Sequence, residues 1–202
     1  MPAGAHSWLA SISRETGDFG EAWRADDFTE IGMGDGWGFN IKVESEIRIG
    51  TTYDDRSGAR LGIQKAFALG DRGSIAIQAS ALLGESLDGV ECGGEGYEVR
   101  AAIGSSFNLW GQEGFVNLES GHRTRGDCER SVTEAAIGYD FAPGWNLTFM
   151  AWTEGGAETG VAKAEASLMR DFWGLGIGVG WREEISGNFE EKGWVVNARA
   201  RF

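Results

Sequence analysis

Hydrophobic and polar residues alternate along most of this 202-residue chain. Trp37–Ile49 shows the pattern best. Trp37, Phe39, Ile41, Val43, Ile47 and Ile49 share one side, and Asn40, Lys42, Glu44, Glu46 and Arg48 share the other. Successive side chains of a strand project to opposite faces, so a period of two predicts a strand with one apolar and one charged face. The same reading predicts strands over 7–14, 59–69, 74–84, 97–108, 115–123, 131–141, 145–153, 161–170, 173–182 and 193–202, and a less regular one over 26–34. Within 59–69, Lys65 falls in phase with Leu61, Ile63 and Phe67, which predicts a bulge or a strand-end position. Within 173–182, Trp173, Leu175, Ile177, Val179 and Trp181 face one way and Gly174, Gly176, Gly178 and Gly180 the other. Such a row of glycines leaves space that long side chains from neighbouring strands can enter.

The connections alternate in kind. Stretches 34–36, 70–73, 109–114, 142–144 and 171–172 are short, whereas 15–24, 85–95, 124–130, 154–160 and 183–192 are longer and more polar. The chain ends in Gly-Trp-Val-Val-Asn-Ala-Arg-Ala-Arg-Phe, with Trp194, Val196, Ala198, Ala200 and Phe202 on one face and Val195, Asn197, Arg199 and Arg201 on the other. This terminus resembles the closing strand of bacterial outer-membrane β-barrels. The likeness extends over nearly the whole chain and is greatest from Gly96 to Phe202, which is similar to the C-terminal half of small porin-like proteobacterial barrels. It implies an all-β fold, one closed antiparallel transmembrane up-and-down barrel domain over 1–202, with about twelve strands, short periplasmic turns and longer outer loops. It also implies a bacterial outer-membrane location. The partners it implies are membrane lipid, lipopolysaccharide and the barrel-insertion machinery that reads the last strand.

Composition narrows the alternatives. The chain has 33 Gly, 9 Trp and 11 Phe but only 2 Pro, which suits many closely passing strands. No apolar run approaches the ~18 residues of a spanning helix, a test that does not apply to strands. Met1-Pro2 is followed by no leader-like apolar segment, as expected of the mature form of an exported chain. A formal charge of −13 argues against nucleic acid as a partner. Cys92 and Cys128 are too few for a zinc site, and neither a metal nor a cofactor is expected; in an exported protein two cysteines favour one disulfide. Both fall in predicted loops on the same side of the barrel.

Parity assigns the inward face. Lumen-lining candidates are Lys42, Glu44, Glu46, Arg48, Arg100, Glu119, Glu134, Lys163, Glu165, Arg182, Arg199 and Arg201. Further inward charges, among them Glu30, Arg60, Glu98 and Asp140, keep the two signs in balance. Unpaired buried charge is costly, so a narrow lumen should pair them. The excess negative charge is then expected in loops, at Glu15, Asp18, Asp54, Asp55, Asp88, Glu91, Glu154, Glu158, Glu190 and Glu191. Clustered there, these carboxylates would hold divalent cations loosely at the outer rim. Trp37, Trp145, Trp173, Trp181, Trp194 and Phe202 are the expected lipid-interface aromatics.

Candidate chemistry is sparse. Ser120 and His122 share an outward face, and outer-membrane lipid hydrolases use a Ser–His pair there. However, the order is reversed from those families and no third group orients the base. The expected function is a small, narrow, porin-like channel for small solutes or ions. The alternative is a non-conducting envelope scaffold or interaction barrel, acting through its outer loops or a partner. A lipid-modifying hydrolase and a soluble lipocalin-type barrel stand further back, the latter because its concave face should be apolar.

Overall fold

The computed structural model describes residues 4–18, 20–85, 92–156 and 160–201, the side chain of Arg201 excepted. Twelve antiparallel strands close into one barrel: β1 (His6–Gly17), β2 (Gly20–Gly34), β3 (Trp37–Ile49), β4 (Arg56–Leu69), β5 (Gly73–Gly84), β6 (Gly96–Leu109), β7 (Gln112–Arg125), β8 (Cys128–Ala142), β9 (Trp145–Gly155), β10 (Gly160–Phe172), β11 (Leu175–Ser186) and β12 (Lys192–Arg201). Each strand pairs with the next, and β1 pairs with β12 from Ser7↔Arg201 to Thr16↔Lys192. Closure leaves no unpaired sheet edge, which is what permits strands to lie in lipid.

Parity decides which side chains see lipid. On β11, Leu175, Ile177, Val179 and Trp181 are exposed, while Gly176, Gly178, Gly180 and Arg182 are buried. The outward residues of the other strands join them in an apolar belt that includes Ile47, Ile77, Ile103, Leu118 and Phe149. The turns at one end suit tight hairpins: Asp35-Gly36, Trp110-Gly111 and Trp173-Gly174 all have both residues at positive φ. By the barrel rule this end, which also carries both termini, is periplasmic.

Several boundaries differ from the sequence reading. Residues 15–24 are not a loop: β1 continues to Gly17 and β2 starts at Gly20. Glu15 and Arg24 there are buried inward, and their charge disguises the alternation. Residues 124–130 likewise belong largely to strands, with only 126–127 between β7 and β8. Trp173 and Gly174 form the β10–β11 turn rather than the start of β11, so the inward glycine row begins at Gly176. Lys65 causes no register shift; it pairs across from Trp37 and Ile77. Its ammonium bonds the Asp35 carbonyl oxygen and lies 5.0 Å from the Trp37 ring centroid, a snorkelling position at the periplasmic rim. Register shifts fall instead at Gly32/Gly34, Asp140/Ala142 and Ala162/Lys163.

Cys92 and Cys128 form a disulfide with their Cα atoms 5.9 Å apart. It ties the connection after β5 to the head of β8, and Arg130 Nε donates to Cys92 Sγ at 3.1 Å.

One outward residue breaks the apolar belt. Asp27 lies in mid-β2 on the same face as Trp23, Ile31 and Met33. Trp8 Nε1 donates to its carboxylate at 2.6 Å from the adjoining strand. A charge on the lipid face destabilises a barrel, and a single indole donor offsets only part of that cost. Asp27→Leu should therefore raise the unfolding free energy in liposomes by about 1–2 kcal/mol. Urea titration followed by tryptophan fluorescence measures it; a loss of stability would show that the Trp8 bond outweighs the lipid penalty.

Candidate functional site: the lumen

The inward face carries charge on nearly every strand, and two side chains act as hubs. The Glu98 carboxylate, inaccessible to solvent, takes Arg100 at 2.6 Å, Arg123 at 2.7 Å and Arg60 at 3.0 Å. Arg60 stands on β4 and Glu98 on β6. Ser80 of β5 sits directly opposite Glu98 and is short enough for Arg60 to reach past it. Arg123 continues to Glu154 at 2.6 Å, and Arg130 reaches the same carboxylate at 3.7 Å. On the other wall Arg182 meets Glu165 at 2.9 Å, Glu15 at 3.0 Å and Asp26 at 3.7 Å.

Glycines make these long-range pairs possible. The register sets Glu165, Arg182, Gly193 and Glu15 in one row across β10, β11, β12 and β1. Arg182 passes over Gly193 to reach Glu15. Nearer the periplasmic end, three inward rows away, the device repeats as Asp171, Gly176 and Arg199, with Arg199 bonding Asp171 at 2.9 Å. Between them, Asn197 Nδ2 donates to Ser167 Oγ at 2.9 Å and to Glu165 Oε1 at 3.0 Å. Side chains of β12 thus bond side chains of β10 across the glycine row of β11.

The candidate residues fall as follows. Lys42 meets Glu44 at 2.6 Å and Asp26 at 3.7 Å, and Glu46 meets Arg48 at 2.6 Å and Arg56 at 2.9 Å. Lys163 pairs with Glu191, and both are buried. Glu119 and Glu134 face open lumen, near Arg100 at 3.4 and 3.9 Å. The Arg201 side chain and Phe202 lie outside the described residues, as do Asp88, Glu91 and Glu158. Glu15 and Glu154 lie in strands and Glu191 in the β11–β12 connection, but each is buried in an ion pair, which removes them from any loose cation-binding rim.

At the interfaces, Trp181 and Trp194 meet edge to face at 5.2 Å near the outer end. Trp145 lies under the Arg170 guanidinium at 5.0 Å, and Trp37 under Lys65, at the inner end. Trp173 projects fully exposed from its turn. Ser120 Oγ is 3.2 Å from Thr133 Oγ1 on the outward face, so its hydrogen bond goes to a threonine rather than to His122.

Two cavities remain inside. One of about 380 Å³ is lined by Arg182, by the three arginines that Glu98 holds, and by Lys42, Glu119, Glu134, Phe28 and Trp152. The other, about 390 Å³, includes Arg72, Asn108, Glu113, Asp140 and Arg199. Solved structures of similar fold include outer-membrane porins and channels. The NanC porin superposes with a TM-score of 0.72 at 8% identity, covering 96% of this chain and 100% of that one. The fold is that of an outer-membrane porin. The KdgM porin, also solved in complex with disordered oligogalacturonate, gives 0.69 at 12% identity over 96% and 99% of the two chains. An outer-membrane channel from Pseudomonas putida F1 gives 0.69 at 8% over 100% and 97%. No protein-family model and no curated protein matches the sequence. The likeness to the porins is therefore one of fold.

Sequence parity found the inward charges but not their hubs. Glu98 and Arg182 stand out only when register shows which strands bring partners to them. Trp152 was missed because it sits at an inward position among apolar neighbours, and no local signal separates it from a lipid-facing tryptophan. In the porin fold the inward glycines are structural parts. A Cβ at Gly193 would lie 2.8 Å from Arg14 C and Glu15 Cα, atoms of the closing strand's backbone. At Gly176 it would meet the movable ends of Asp171, Met169 and Arg199. Gly193→Ala should therefore destabilise the barrel by about 1–3 kcal/mol more than Gly176→Ala, read from denaturant unfolding in micelles. Equal effects would contradict the close-approach role of Gly193.

Proposed function

We propose that the chain is a narrow, charge-paired channel of the bacterial outer membrane that passes small solutes or ions, built as a single barrel domain. The observation that supports this best is the pair of polar cavities, about 380 and 390 Å³, that persist on an inward face whose charges are otherwise tied to one another. A scaffold that used those charges only as filling would gain nothing by leaving such volumes. The outward apolar belt and aromatic interfaces fit a bilayer, with lipopolysaccharide against the outer rim. The closing strand is the element that barrel-insertion machinery would read.

The mixed lining argues against a polyanion path. Oligogalacturonate, present in the KdgM porin complex, is polyanionic. Here Arg60, Arg100, Arg123 and Arg182 are each held by carboxylates, so a passing polyanion would have to displace them. Balanced lining should instead give weak ion selectivity. Dense pairing among Glu46, Arg48 and Arg56 and between Lys163 and Glu191 narrows the bore and is what a closed scaffold would also show.

Planar-bilayer recording separates the two readings. The expected result is a small single-channel conductance with mild cation preference. Arg199→Ala should increase both, because it removes a basic chain from the inner cavity and leaves Asp171 unpaired. A large unselective conductance would contradict the narrow lumen. Absence of conductance in both proteins would favour the scaffold.

A further inference from the structure

Glu119 and Glu134 are directly opposed on adjacent strands, both facing the cavity of about 380 Å³. Like charges in that position repel, with Cβ atoms only ~4.5–5.5 Å apart. The lumen elsewhere pairs its charges closely, yet this pair has no cation of its own. Arg100 approaches at 3.4 and 3.9 Å, but its guanidinium is already held by Glu98 through contacts of 2.6 and 3.2 Å. Asn117 donates to Glu119 at 2.9 Å; among the described residues Glu134 accepts no hydrogen bond. The two side chains keep 29% and 34% of their surface accessible, so both carboxylates meet the cavity.

The same cavity has a second shortage of donors. Glu30 lines it, held by Gln64, and the residue across from Glu30 is Asn40. Asn40 is fully buried and donates to Gln78, which also lines the cavity, but its Oδ1 has no donor. Apolar side chains stand among the charged ones on the cavity wall. Phe28 and Leu9 pair across β1 and β2, and Trp152 pairs directly with Glu134 across β8 and β9. Arg182 lies 5.3 Å from the Trp152 ring centroid and fixes that ring in place.

We infer that this cavity is a binding station for a small organic ammonium ion with an apolar body, its charge between Glu119 and Glu134 and its body against Trp152 and Phe28. An ammonium group supplies the N–H donors and positive charge that this wall lacks, and the aromatic faces favour a cation beside them. The volume of about 380 Å³ lies at the small end of ligand pockets, which limits the occupant to a small molecule. The inference rests on the channel reading for its use in transport, though not for binding itself.

The test compares three probes of one shape and different charge: 2-phenylethylammonium, 2-phenylethanol and phenylacetate. Binding is measured by calorimetry on the detergent-solubilised barrel, and current block is measured separately in bilayers. The ammonium should bind at least tenfold more tightly than either of the others. Glu119→Gln with Glu134→Gln should abolish that preference, while Glu129→Gln, at an exposed position, should leave it unchanged. Heat-modifiable migration reports folding. If the double variant does not fold, Glu134→Gln alone should weaken ammonium binding at least threefold while leaving thermal stability equal or higher, because a like-charge contact is relieved. A purely structural Glu134 would instead lose stability and leave the probe ranking untouched. Ammonium binding without any current would uphold the station and overturn the channel. Current with equal affinity for all three probes would uphold the channel and overturn the station.

Discussion

A charge inside this barrel has to find its partner within the lumen, because neither water nor lipid can replace it cheaply. That requirement organises the inward face. Neighbouring strands alone do not satisfy it. Arg182 needs Glu15 two strands away, Arg60 needs Glu98 two strands away, and Arg199 needs Asp171 two strands away. For Arg182 and Arg199 the intervening position is Gly193 or Gly176, which has no side chain, whereas Arg60 runs diagonally between Leu82, its own partner on β5, and Ser80, the partner of Glu98. Small residues on the inside are therefore paired in position with long charged ones. The closing β1–β12 ladder fixes the register that makes these rows line up. A slip of one residue there would turn Glu15 to lipid and Trp8 to the lumen.

The energetic weight of these pairs lies in what their loss would leave behind. Removing one partner of a buried pair costs about 3–5 kcal/mol, because the other charge stays buried. Glu98 serves three arginines, so its loss would take the carboxylate from Arg60 and leave Arg123 to Glu154 and Arg100 to the more distant Glu119 and Glu134. A hub is thus a point of rigidity, and the two hubs brace the cavity that Arg182 and the Glu98-held arginines line. The feature in that braced space with only a shared cation is an acidic one, at Glu119 and Glu134, both near Arg100. The formal charge of −13 is consequently not confined to a solvated mouth, as loop composition suggested, but is partly expressed inside.

The fold was legible wherever one face is uniformly apolar. Trp37–Ile49 and the strand from Leu175 read correctly because their outward residues are mostly large and hydrophobic and their inward residues are polar, charged or glycine. Reading failed where both faces carry charge. Around the first hairpin, Arg14 and Glu21 form an outward ion pair at 2.8 Å while Glu15 and Arg24 point inward, so no period of two survives and the stretch looks like a loop. Asp27 obscures β2 for the same reason. The Cys92–Cys128 bridge was legible from topology, although Cys128 heads a strand rather than lying in a loop. The hubs were out of reach, since parity says which way a side chain points but not which distant strand brings its partner.

The central claim is that the even face of β3 borders water while the odd face borders lipid. Single cysteines at 41, 42, 43 and 44, in protein whose native disulfide is intact, would test it in proteoliposomes with a charged, membrane-impermeant thiol reagent. Lys42 and Glu44 line the cavity of about 380 Å³, so cysteines there should react, and those replacing Ile41 and Val43 should not. Protection at all four positions would mean a dry, plugged interior and would contradict the account.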